Sequence, residues 1–305
     1  MIANHYFDGA NYPIGGSRMI AESIIPVIKD NGGELVKNCG VDKIWIDNGV
    51  AKGVILESGE KISSDSVIST AGVGNTISKF LRDEKSLDTY RSNLNKVKPS
   101  SGHACLYVGF NQSAKDLGVS DTNLWVYPSY DHDKSVQKFN ENQDNDFPLL
   151  YMSFASSKDP NWDQNHPNTA TMEVIVPSGF DHYEKWKEQP WRKRGEEYEE
   201  YKENLSKRMI ASIYKHCPHL KDKISYYELS TPLSTKSLAN YEFGELYGID
   251  HDPGRFKQKW LKPKTPIKNL YLSGQDILTV GLAGALGSGV LTTSVLMGKN
   301  IFKKI

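Results

Sequence analysis

The sequence lacks an excess of charge, a set of paired cysteines and a secretory leader. Its 305 residues hold 37 Lys and Arg and 37 Asp and Glu, so the formal net charge is zero. Because binding to a polyanion gains its affinity from positive charge, we expect no nucleic-acid partner. Three cysteines that lie far apart indicate a reducing compartment rather than a disulfide scaffold. The first residues include neither a basic region nor an apolar run, so a secreted protein is not expected.

One uncharged run is long enough to raise the question of a membrane. Residues 277–298 form an uncharged run of 22 residues, which is the length of a transmembrane helix. The run contains five glycines and several Ser and Thr residues, and this composition favours a loop that leads into a buried helix. The apolar fraction of 38% and the charged fraction of 24% are those of a globular protein, and the length suits one large domain or two smaller ones.

Local signals near the N-terminus predict a helix and then a hairpin. Gly15-Gly16 belongs to a cluster of helix breakers, and isoleucines from Ile20 to Ile28 recur at helical spacing until Gly32-Gly33. Asn48-Gly49 between two apolar segments is typical of a two-residue hairpin turn. The strands predicted in this part of the chain are residues 34–38, 41–47, 50–57 and 67–69.

The middle of the chain has the pattern of a separate unit. Strands predicted at residues 106–110, 149–154 and 172–176 are separated by long polar segments, and residues 195–216 predict a helix with one apolar face. The pattern indicates a mixed sheet with helices at 81–265, inserted between two parts of a first domain. The domains expected are therefore 1–80 and 266–305 around 81–265, and the fold class is α/β, in part α+β.

The last block combines a buried strand, a Gly-Asp turn and a glycine-rich helix start. The strand covers residues 270–273, the turn contains Gly274 and Asp276, and the helix start follows at Gly281. Glycine lets a ligand approach the backbone, and the free N–H groups of a helix N-terminus attract negative charge. Close packing of the helix explains the same glycines, so both interpretations stay open at this point.

The sequence contains only weak candidates for a metal-binding site. His216, Cys217 and His219 surround a proline at a helix end and lack a second pair of ligands. Asp250 and Asp252 on either side of His251 are typical of a polar turn. We therefore expect no metal site.

These blocks, in this order, resemble the flavoprotein family that contains phytoene desaturases and carotenoid isomerases. The resemblance spans essentially the whole chain, and its most specific motif is Gly281-Leu282-Ala283-Gly284-Ala285-Leu286. The motifs that support it are His5-Tyr6, Tyr12-Pro13-Ile14-Gly15-Gly16, Gly32-Gly33-Glu34, Val67-Ile68-Ser69-Thr70-Ala71-Gly72, Ser157-Lys158-Asp159-Pro160, Tyr247-Gly248 with His251 and Arg255, and Asn269-Leu270-Tyr271-Leu272-Ser273-Gly274-Gln275-Asp276.

The sequence departs from that family in one respect. Members hold the pyrophosphate of FAD on a G-x-G-x-x-G loop that follows a strand, and this sequence contains no such loop. We therefore expect the C-terminal portion of the family's protein, with an incomplete FAD/NAD(P)-binding Rossmann-like domain and the inserted sheet as substrate domain. A partner chain that supplies the missing segment is one expectation, and a non-catalytic fragment is another.

The resemblance also implies where FAD contacts this chain. It implies that the strand at Val41 runs past the adenine ring and contacts it through the backbone. It also implies that Asp276 accepts hydrogen bonds from the ribityl or pyrophosphate region. It also implies that the start of the last helix lies at the isoalloxazine, where a helix N-terminus would stabilise the negative charge of reduced flavin. The cofactor-binding residues that it implies are Gly15, Gly16, Val41, Ala71, Gly72, Gly274, Gln275, Asp276, Gly281, Leu282, Ala283 and Gly284.

The activity that the resemblance implies is FAD-dependent reduction or desaturation of a carbon–carbon double bond in a retinoid or carotenoid-like polyene. The alternative is a flavin-dependent isomerase that has no net redox change. His251 and Tyr247 are the candidates for the proton donor. Because a polyene is held in lipid, we expect a cytoplasmic protein or one in peripheral contact with a membrane.

An apolar polyene would need a tunnel, and the resemblance places that tunnel in the middle domain. Aromatic side chains suit its lining, although core packing explains them equally well. The aromatic residues that we consider for the tunnel are Trp125, Tyr127, Tyr130 and Phe154.

Overall fold

The computed structural model describes Gly9 and residues 11–304; His5 and Tyr6, which contribute to the resemblance, lie outside the described residues. The chain forms two compact units. The first unit comprises the chain up to Leu35 together with His103–Thr231, and the second unit comprises Val36–Gly102 and Pro232–Ile305. The boundaries expected after residues 80 and 265 thus lie inside the second unit, and the N-terminal helix groups with the first.

The strands belong to three sheets among the described residues, two of them antiparallel and one parallel. The strands are β1 (Val41–Asp47), β2 (Val50–Leu56), β3 (Lys61–Ser63), β4 (Val67–Ser69), β5 (His103–Phe110), β6 (Leu124–Val126), β7 (Leu150–Ser153), β8 (Ala170–Pro177), β9 (Ile224–Ser230) and β10 (Leu270–Leu272).

The longest helices are the N-terminal helix, the middle helix and the C-terminal helix. The α-helices are α1 (Arg18–Asp30), α2 (Val73–Asn75), α3 (Asp88–Leu94), α4 (Ala114–Leu117), α5 (His132–Glu141), α6 (Ala155–Lys158), α7 (Trp162–Asn165), α8 (Glu196–His216), α9 (Pro232–Ala239), α10 (Pro253–Phe256) and α11 (Gly281–Met297). Shorter 3₁₀ segments are Lys85–Leu87, Phe180–Trp186, Pro218–Leu220 and Ile301–Lys304, and Thr76–Phe80 is a π-helix.

The first unit is an antiparallel sheet with α8 packed on one face. Its strand order is β6-β7-β8-β5-β9, and every pair is antiparallel, so the sheet is not mixed as the sequence suggested. Alternate residues of the strands are buried against Leu205, Met209 and Ile213 of α8, because the side chains of a strand point to opposite faces in turn. The opposite face carries polar and aromatic residues, and residues 12 and 15–18 line a cavity together with Tyr107 and Glu173 of this face.

The second unit joins a hairpin to a short parallel pair of strands. β1 and β2 are linked at Asn48-Gly49, whose φ angles of 49° and 75° are those of a type I′ turn, which confirms the hairpin. β10 pairs in parallel with β4, and the register places Leu272 beside Ser69. The two strands are about 200 residues apart in the sequence, and His103–Thr231 of the first unit lies between them in the chain.

Two local predictions differ from the structure. Residues 34–38 form no strand: Leu35 and Val36 are exposed and Asn38 has a φ of 55°, which breaks an extended run. The helix predicted to be buried near the C-terminus buries only Gly284, Ser288 and Thr292. In the part of the chain that the structure describes, no helix combines the length and the apolar character needed to cross a membrane.

Candidate functional site

The parallel pair brings two glycine turns to the same edge of the second unit. Both β4 and β10 end there, because parallel strands share the direction of their carboxyl ends. Gly72 follows β4 with a φ of 89°, and Gly274 follows β10 with a φ of 105°. Side chains rarely tolerate these angles, and an added Cβ would meet no atom within 3.4 Å at either position. The two turns therefore leave backbone open to an approaching ligand.

Asp276 ties these turns to a third segment of the second unit. Its carboxylate accepts hydrogen bonds from the backbone N–H of Val73 at 2.8 Å and from the backbone N–H of Ile249 at 2.9 Å. The residue is 4% exposed, so both donors would be unsatisfied without it. The carboxylate thus joins three segments of the chain, a role that the resemblance did not imply. Its implied hydrogen bonds to the cofactor stay a prediction.

Arg255 stabilises the same turn through hydrogen bonds and was not predicted as a site residue. Its guanidinium donates to the carbonyl of Gln275 at 2.9 Å, to the carbonyl of Asp276 at 2.5 Å and to the carbonyl of Leu278 at 3.3 Å. The side chain is buried, and burial lowers its pKa while Asp276 raises it. Arg255 therefore stabilises the loop between β10 and α11 by donating hydrogen bonds to the carbonyl groups of that loop.

We expect Arg255→Lys to lower the free energy of unfolding by about 1–2 kcal/mol. An ammonium cannot reproduce the planar set of N–H donors with which the guanidinium reaches these carbonyls. Chemical denaturation of the full chain measures this. The control is Arg18→Lys, since Arg18 lies 3.9 Å from Glu22 in an exposed ion pair, where such pairs contribute little. Equal losses in the two variants would contradict a special role for Arg255.

Small residues on one side of α11 attach this helix to β10. Thr292 donates from its hydroxyl to the carbonyl of Leu272 at 3.0 Å, and the backbone N–H of Gly274 donates to the hydroxyl of Ser288 at 2.8 Å. One turn earlier, a Cβ on Gly284 would lie 1.9 Å from the carbonyl oxygen of Thr279. Gly284 is thus required by close packing, and its implied contact with the cofactor stays a prediction.

The N-terminus of α11 is open. Val280 precedes the helix in an extended conformation and provides no side-chain cap, and the first turn has no acidic residue. Gly281 has a φ of 78° and open space around its Cα, while Leu282 and Ala283 are exposed. Free N–H groups and the positive end of the helix dipole are therefore available to an electron-rich group.

Gln275 lies between this helix start and a neighbouring aromatic residue. Its amide oxygen accepts from the backbone N–H of Gly281 at 3.4 Å, and its amide nitrogen donates to the hydroxyl of Tyr241 at 3.2 Å. Ala71, also predicted, uses its carbonyl to accept from the side chain of Asn75 at 2.9 Å. Gly72, Gly274, Gln275, Asp276 and Gly281 thus belong to one region of the second unit, and their contact with a cofactor stays a prediction.

A cavity of about 480 Å³ lies beside Gly72 and Asp276 in the second unit. Its walls include Tyr241, Phe243 and the carboxyl group of Glu245, none of which we predicted. Burial raises the pKa of Glu245, hydrogen bonds from the backbone N–H groups of Glu245 and Phe243 lower it, and the charges of Asp276 and Glu242 raise it, with a net shift upward. A carboxyl group in a largely apolar cavity is a sign of a functional group that sequence reasoning had no motif to find.

The predicted proton donors do not line that cavity. Tyr247 is exposed. Both ring nitrogens of His251 are buried and lack a hydrogen-bond partner among the described residues. Burial lowers the pKa of His251 and the positive charge of Arg255 lowers it further, while the negative charges of Asp276 and Asp250 only partly oppose this shift. The catalytic assignment of these two residues stays a prediction.

The remaining predicted residues lie elsewhere. Gly15 and Gly16, with φ angles of 85° and 82°, belong to the first unit. Val41 begins β1 opposite Leu56. Of the aromatic residues considered for a tunnel, Phe154 is buried in the core of the first unit. Tyr127 and Tyr130 are exposed, whereas Trp125 lies on the face of the sheet opposite α8 and contacts Tyr151.

Parallel strands that end in glycine turns beside a helix N-terminus are the frame in which α/β domains bind nucleotide cofactors. Solved structures share this fold. An oxidoreductase from Methanosarcina mazei has a TM-score of 0.59 at 16% identity, over 94% of this chain and 55% of that chain. Putrescine oxidase bound to putrescine has a TM-score of 0.55 at 12% identity, over 94% and 54%. The class of protein that the fold defines is therefore the one that these structures share, and this chain spans about half the length of each of them.

Relatives in sequence give the family within that class. All-trans-retinol 13,14-reductase is 32% identical in Macaca fascicularis and 33% identical in Rattus norvegicus, in each case over 100% of this chain and 52% of the relative. An inactive all-trans-retinol 13,14-reductase from Danio rerio is 31% identical over 98% of this chain and 51% of the relative. The chain spans about half the length of these relatives. No protein-family model matches it.

More distant relatives include the enzymes that the motifs resemble. A phytoene desaturase (neurosporene-forming) from Rhodobacter capsulatus is 27% identical over 94% of this chain and 54% of the relative. A chloroplastic prolycopene isomerase from Arabidopsis thaliana is 26% identical over 94% of this chain and 46% of the relative. The chain belongs to the family that includes all-trans-retinol 13,14-reductases, phytoene desaturases and prolycopene isomerases. Family and fold together indicate a flavin cofactor.

Proposed function

We propose that this chain is the part of an FAD-dependent oxidoreductase that reduces or desaturates a carbon–carbon double bond of a retinoid or carotenoid-like polyene. The single observation that supports the cofactor site is the open N-terminus of α11 beside the two glycine turns at the ends of β4 and β10. Bound flavin would supply the hydride in reduction or accept it in desaturation.

The residues of the chain fit that cofactor in two ways. Gly72, Gly274 and Gly281 keep their Cα atoms free of side chains where the backbone must approach a planar ligand. The N–H groups at the start of α11 would stabilise negative charge on the ring. Asp276 and Arg255 maintain the loop that carries these groups, through the hydrogen bonds described above. The chain's share in catalysis is thus positioning and electrostatics.

An isomerase without net redox change is the second candidate. It is favoured by the 26% identity to a prolycopene isomerase, a likeness that covers 94% of the chain. The mass of the product separates the two reactions, because reduction adds two hydrogen atoms and isomerisation adds none. A third candidate, a non-catalytic chain, is favoured by the 31% identity to an inactive reductase.

The second unit also leaves apolar surface uncovered, which supports a partner segment. Its parallel sheet has two strands among the described residues, and parallel sheets are usually covered on both faces. Ile68 on β4 is 44% exposed, and Leu282 and Leu286 on α11 are each 52% exposed. We propose that a strand followed by a glycine-rich loop adds to this sheet, whether in the same chain or in another. Peripheral contact with a membrane stays part of the proposal for the complete enzyme.

The test is titration of the full chain with FAD, followed by visible absorption and flavin fluorescence. We expect Leu282→Asp to weaken FAD binding by roughly tenfold or more, because a carboxylate at the start of α11 repels the electron-rich ring. The same charge stabilises the helix itself by about 0.3–1 kcal/mol, so a loss of binding cannot be explained by unfolding.

The matched control is Leu286→Asp. It lies one turn further along α11 and is exposed to the same extent, at 52%, but it is removed from the free N–H groups. An equal effect of both variants on FAD binding would contradict a flavin at this N-terminus. If the wild-type chain shows no flavin band in excess FAD, the two glycine turns and the start of α11 do not hold the cofactor without the partner segment.

A further inference from the structure

A carboxyl group in the cavity beside Gly72 has no role in the function proposed so far. Glu245 lines this cavity of about 480 Å³ together with Tyr241 and Phe243. All the residues of the wall belong to the second unit, and most of the wall is apolar. Because a charge is costly in such a cavity, a carboxyl group there is a sign of chemistry.

The backbone fixes Glu245 at the wall of the cavity. Gly244 before it has a φ of 57°, and a Cβ there would lie 2.2 Å from the carbonyl oxygen of Pro232, so the chain packs tightly at this point. Glu245 forms an antiparallel bridge with Gly102, and its Oε2 accepts from the backbone N–H of Phe243 at 2.8 Å. The carboxyl group is therefore held in place, as a group that transfers a proton must be.

A second carboxyl group on the same cavity is paired with cations, whereas that of Glu245 is not. Glu242 lies 3.5 Å from the ammonium of Lys79 and 2.5 Å from that of Lys236. Burial raises the pKa of Glu242, but the hydrogen bonds and charges of the two lysines outweigh burial and lower it overall.

Glu245 has no such partner in the described part of the chain. Lys98 also lines the cavity, but no lysine or arginine among these residues lies within ion-pair distance of Glu245. The pKa of Glu245 is raised while that of Glu242 is lowered. Two carboxyl groups whose pKa values are shifted in opposite directions are the pattern that separates a proton donor from an ionised neighbour.

The cavity adjoins the backbone that we propose for the cofactor. Gly72, in the turn after β4, lies in its wall, and so does Asp276. Tyr241 on the same wall accepts a hydrogen bond from Gln275 at 3.2 Å, and Gln275 accepts one at 3.4 Å from the N–H of Gly281 at the start of α11. A ligand in the cavity would therefore lie next to a cofactor held by the turn after β4 and by the start of α11.

A rare type of helix forms another part of the wall. Thr76–Phe80 is a π-helix, and Ser78 and Lys79 of this segment line the cavity. π-Helices are uncommon in proteins and are frequently found at functional sites. The π-helix is therefore a second indication, independent of the charge on Glu245, that this cavity is functional.

Reduction of a carbon–carbon double bond needs a proton as well as a hydride. The hydride belongs to the cofactor, so the proton has to come from the chain or from water. The donors predicted from the sequence do not line the cavity, and Tyr247 is exposed. A carboxyl group that is fixed in an apolar cavity and has a raised pKa can hold a proton and release it to a nearby carbon.

We propose that Glu245 is the proton donor of the reduction. Its carboxyl oxygen gives the proton to one carbon of the double bond while the hydride reaches the other, so a C–H bond forms as the O–H bond breaks. The carboxylate that remains takes up a proton from water, and in desaturation it removes the proton instead. The inference rests on the proposed function for the double bond and the hydride, and it adds the group that handles the proton.

The first experiment needs no flavin. Diphenyldiazomethane esterifies a carboxyl group that carries its proton: the proton moves to the diazo carbon, dinitrogen leaves, and the carboxylate oxygen bonds to that carbon. Peptide mass mapping of the full chain at pH 7 is expected to find Glu245 esterified roughly tenfold more than Glu60, because a raised pKa keeps a larger fraction of the carboxyl group protonated. Glu60 is the reference, since it is exposed in the same unit between β2 and β3.

The second experiment measures the proton step itself. The full chain is loaded with FAD, the flavin is reduced with dithionite, and the formation of dihydroretinol from all-trans-retinol is followed. Glu245→Gln is expected to lower kcat by roughly 10²–10⁴-fold and to leave the Kd for FAD unchanged, because an amide of the same size cannot give up a proton. Glu245→Asp keeps the acid and is expected to restore part of the rate.

The pH dependence gives a readout that a structural role of Glu245 would not change. In the wild-type chain kcat is expected to fall as the pH rises through the pKa of Glu245, because only the protonated carboxyl group can donate. Glu245→Gln is expected to lose this dependence. Glu60→Gln is the matched control and should change neither kcat nor its response to pH.

Two results would overturn the assignment: no preference for Glu245 over Glu60 in the esterification, or a wild-type kcat in Glu245→Gln. If the chain binds no FAD, the proposed function fails for the chain alone, while the esterification still decides whether Glu245 holds a proton in the cavity. If the chain binds FAD and Glu245→Gln keeps the wild-type rate, the proposed function stands and only the proton donor is wrong.

Discussion

Replacing Asp276 by alanine is expected to lower the free energy of unfolding by about 2–6 kcal/mol, since each buried donor left without a partner costs about 1–3 kcal/mol. The two donors are the backbone N–H groups of Val73 and Ile249, at 2.8 and 2.9 Å from the carboxylate. Asp276→Asn is expected to lose about half as much, because one amide oxygen can accept from only one of the two positions. Denaturant unfolding followed by circular dichroism measures both.

The control for Asp276 is Asp83→Ala in the same unit. The side chain of Asp83 is 75% exposed and lies 3.6 Å from the ammonium of Lys43, an arrangement that contributes little to stability. We expect its loss to stay within about 0.5 kcal/mol. If Asp276→Ala loses no more stability than Asp83→Ala, the carboxylate does not hold the three segments together. Cofactor binding would then be the remaining role for Asp276.

Two glycines of α11 are expected to respond in opposite directions to the same change. Gly284→Ala would place a Cβ 1.9 Å from the carbonyl oxygen of Thr279, and the strain is expected to destabilise the chain by about 1–3 kcal/mol. Gly289→Ala meets no atom within 4 Å, so the better helix propensity of alanine is expected to stabilise it by about 0.5–1 kcal/mol.

Because both variants add one methyl group to the same helix, each is the control for the other. Thermal unfolding of the two chains measures the difference directly. Stabilisation in both would contradict the close packing of α11 on the loop before it. Gly284→Ala is also expected to weaken FAD binding, because the strain displaces the start of the helix, whereas Gly289→Ala is expected to leave FAD binding unchanged.

Much of the local structure followed from short-range rules. The hairpin at Asn48-Gly49, the helix that ends before Gly32 and the long helix α8 are all present, because turn residues and helical spacing act over a few neighbours. The strand predicted at residues 34–38 was wrong, because its apolar residues find no partner strand. β6 and β9 were missed, since a short strand is stabilised by its neighbours across the sheet rather than by its own pattern.

The candidate site was predictable only as far as motifs reach. The glycines and Asp276 stood in recognisable order, and the family that they predicted is confirmed by relatives over the whole chain. The partner atoms of Asp276, the support from Arg255 and the carboxyl group of Glu245 in its cavity come from segments up to 203 residues apart in sequence. No local pattern encodes which distant group a side chain will meet.

The sequence by itself determined the family, the N-terminal hairpin and the long helices, and several positions where glycine is needed, because backbone angles and periodicity are properties of neighbouring residues. The tertiary structure decided the rest. It separated Gly284, required by packing, from Gly281, which faces open space. It also placed the carboxyl group of Glu245 in the cavity beside Gly72. Burial, charge and hydrogen-bond partners depend on contacts that form only when remote segments come together.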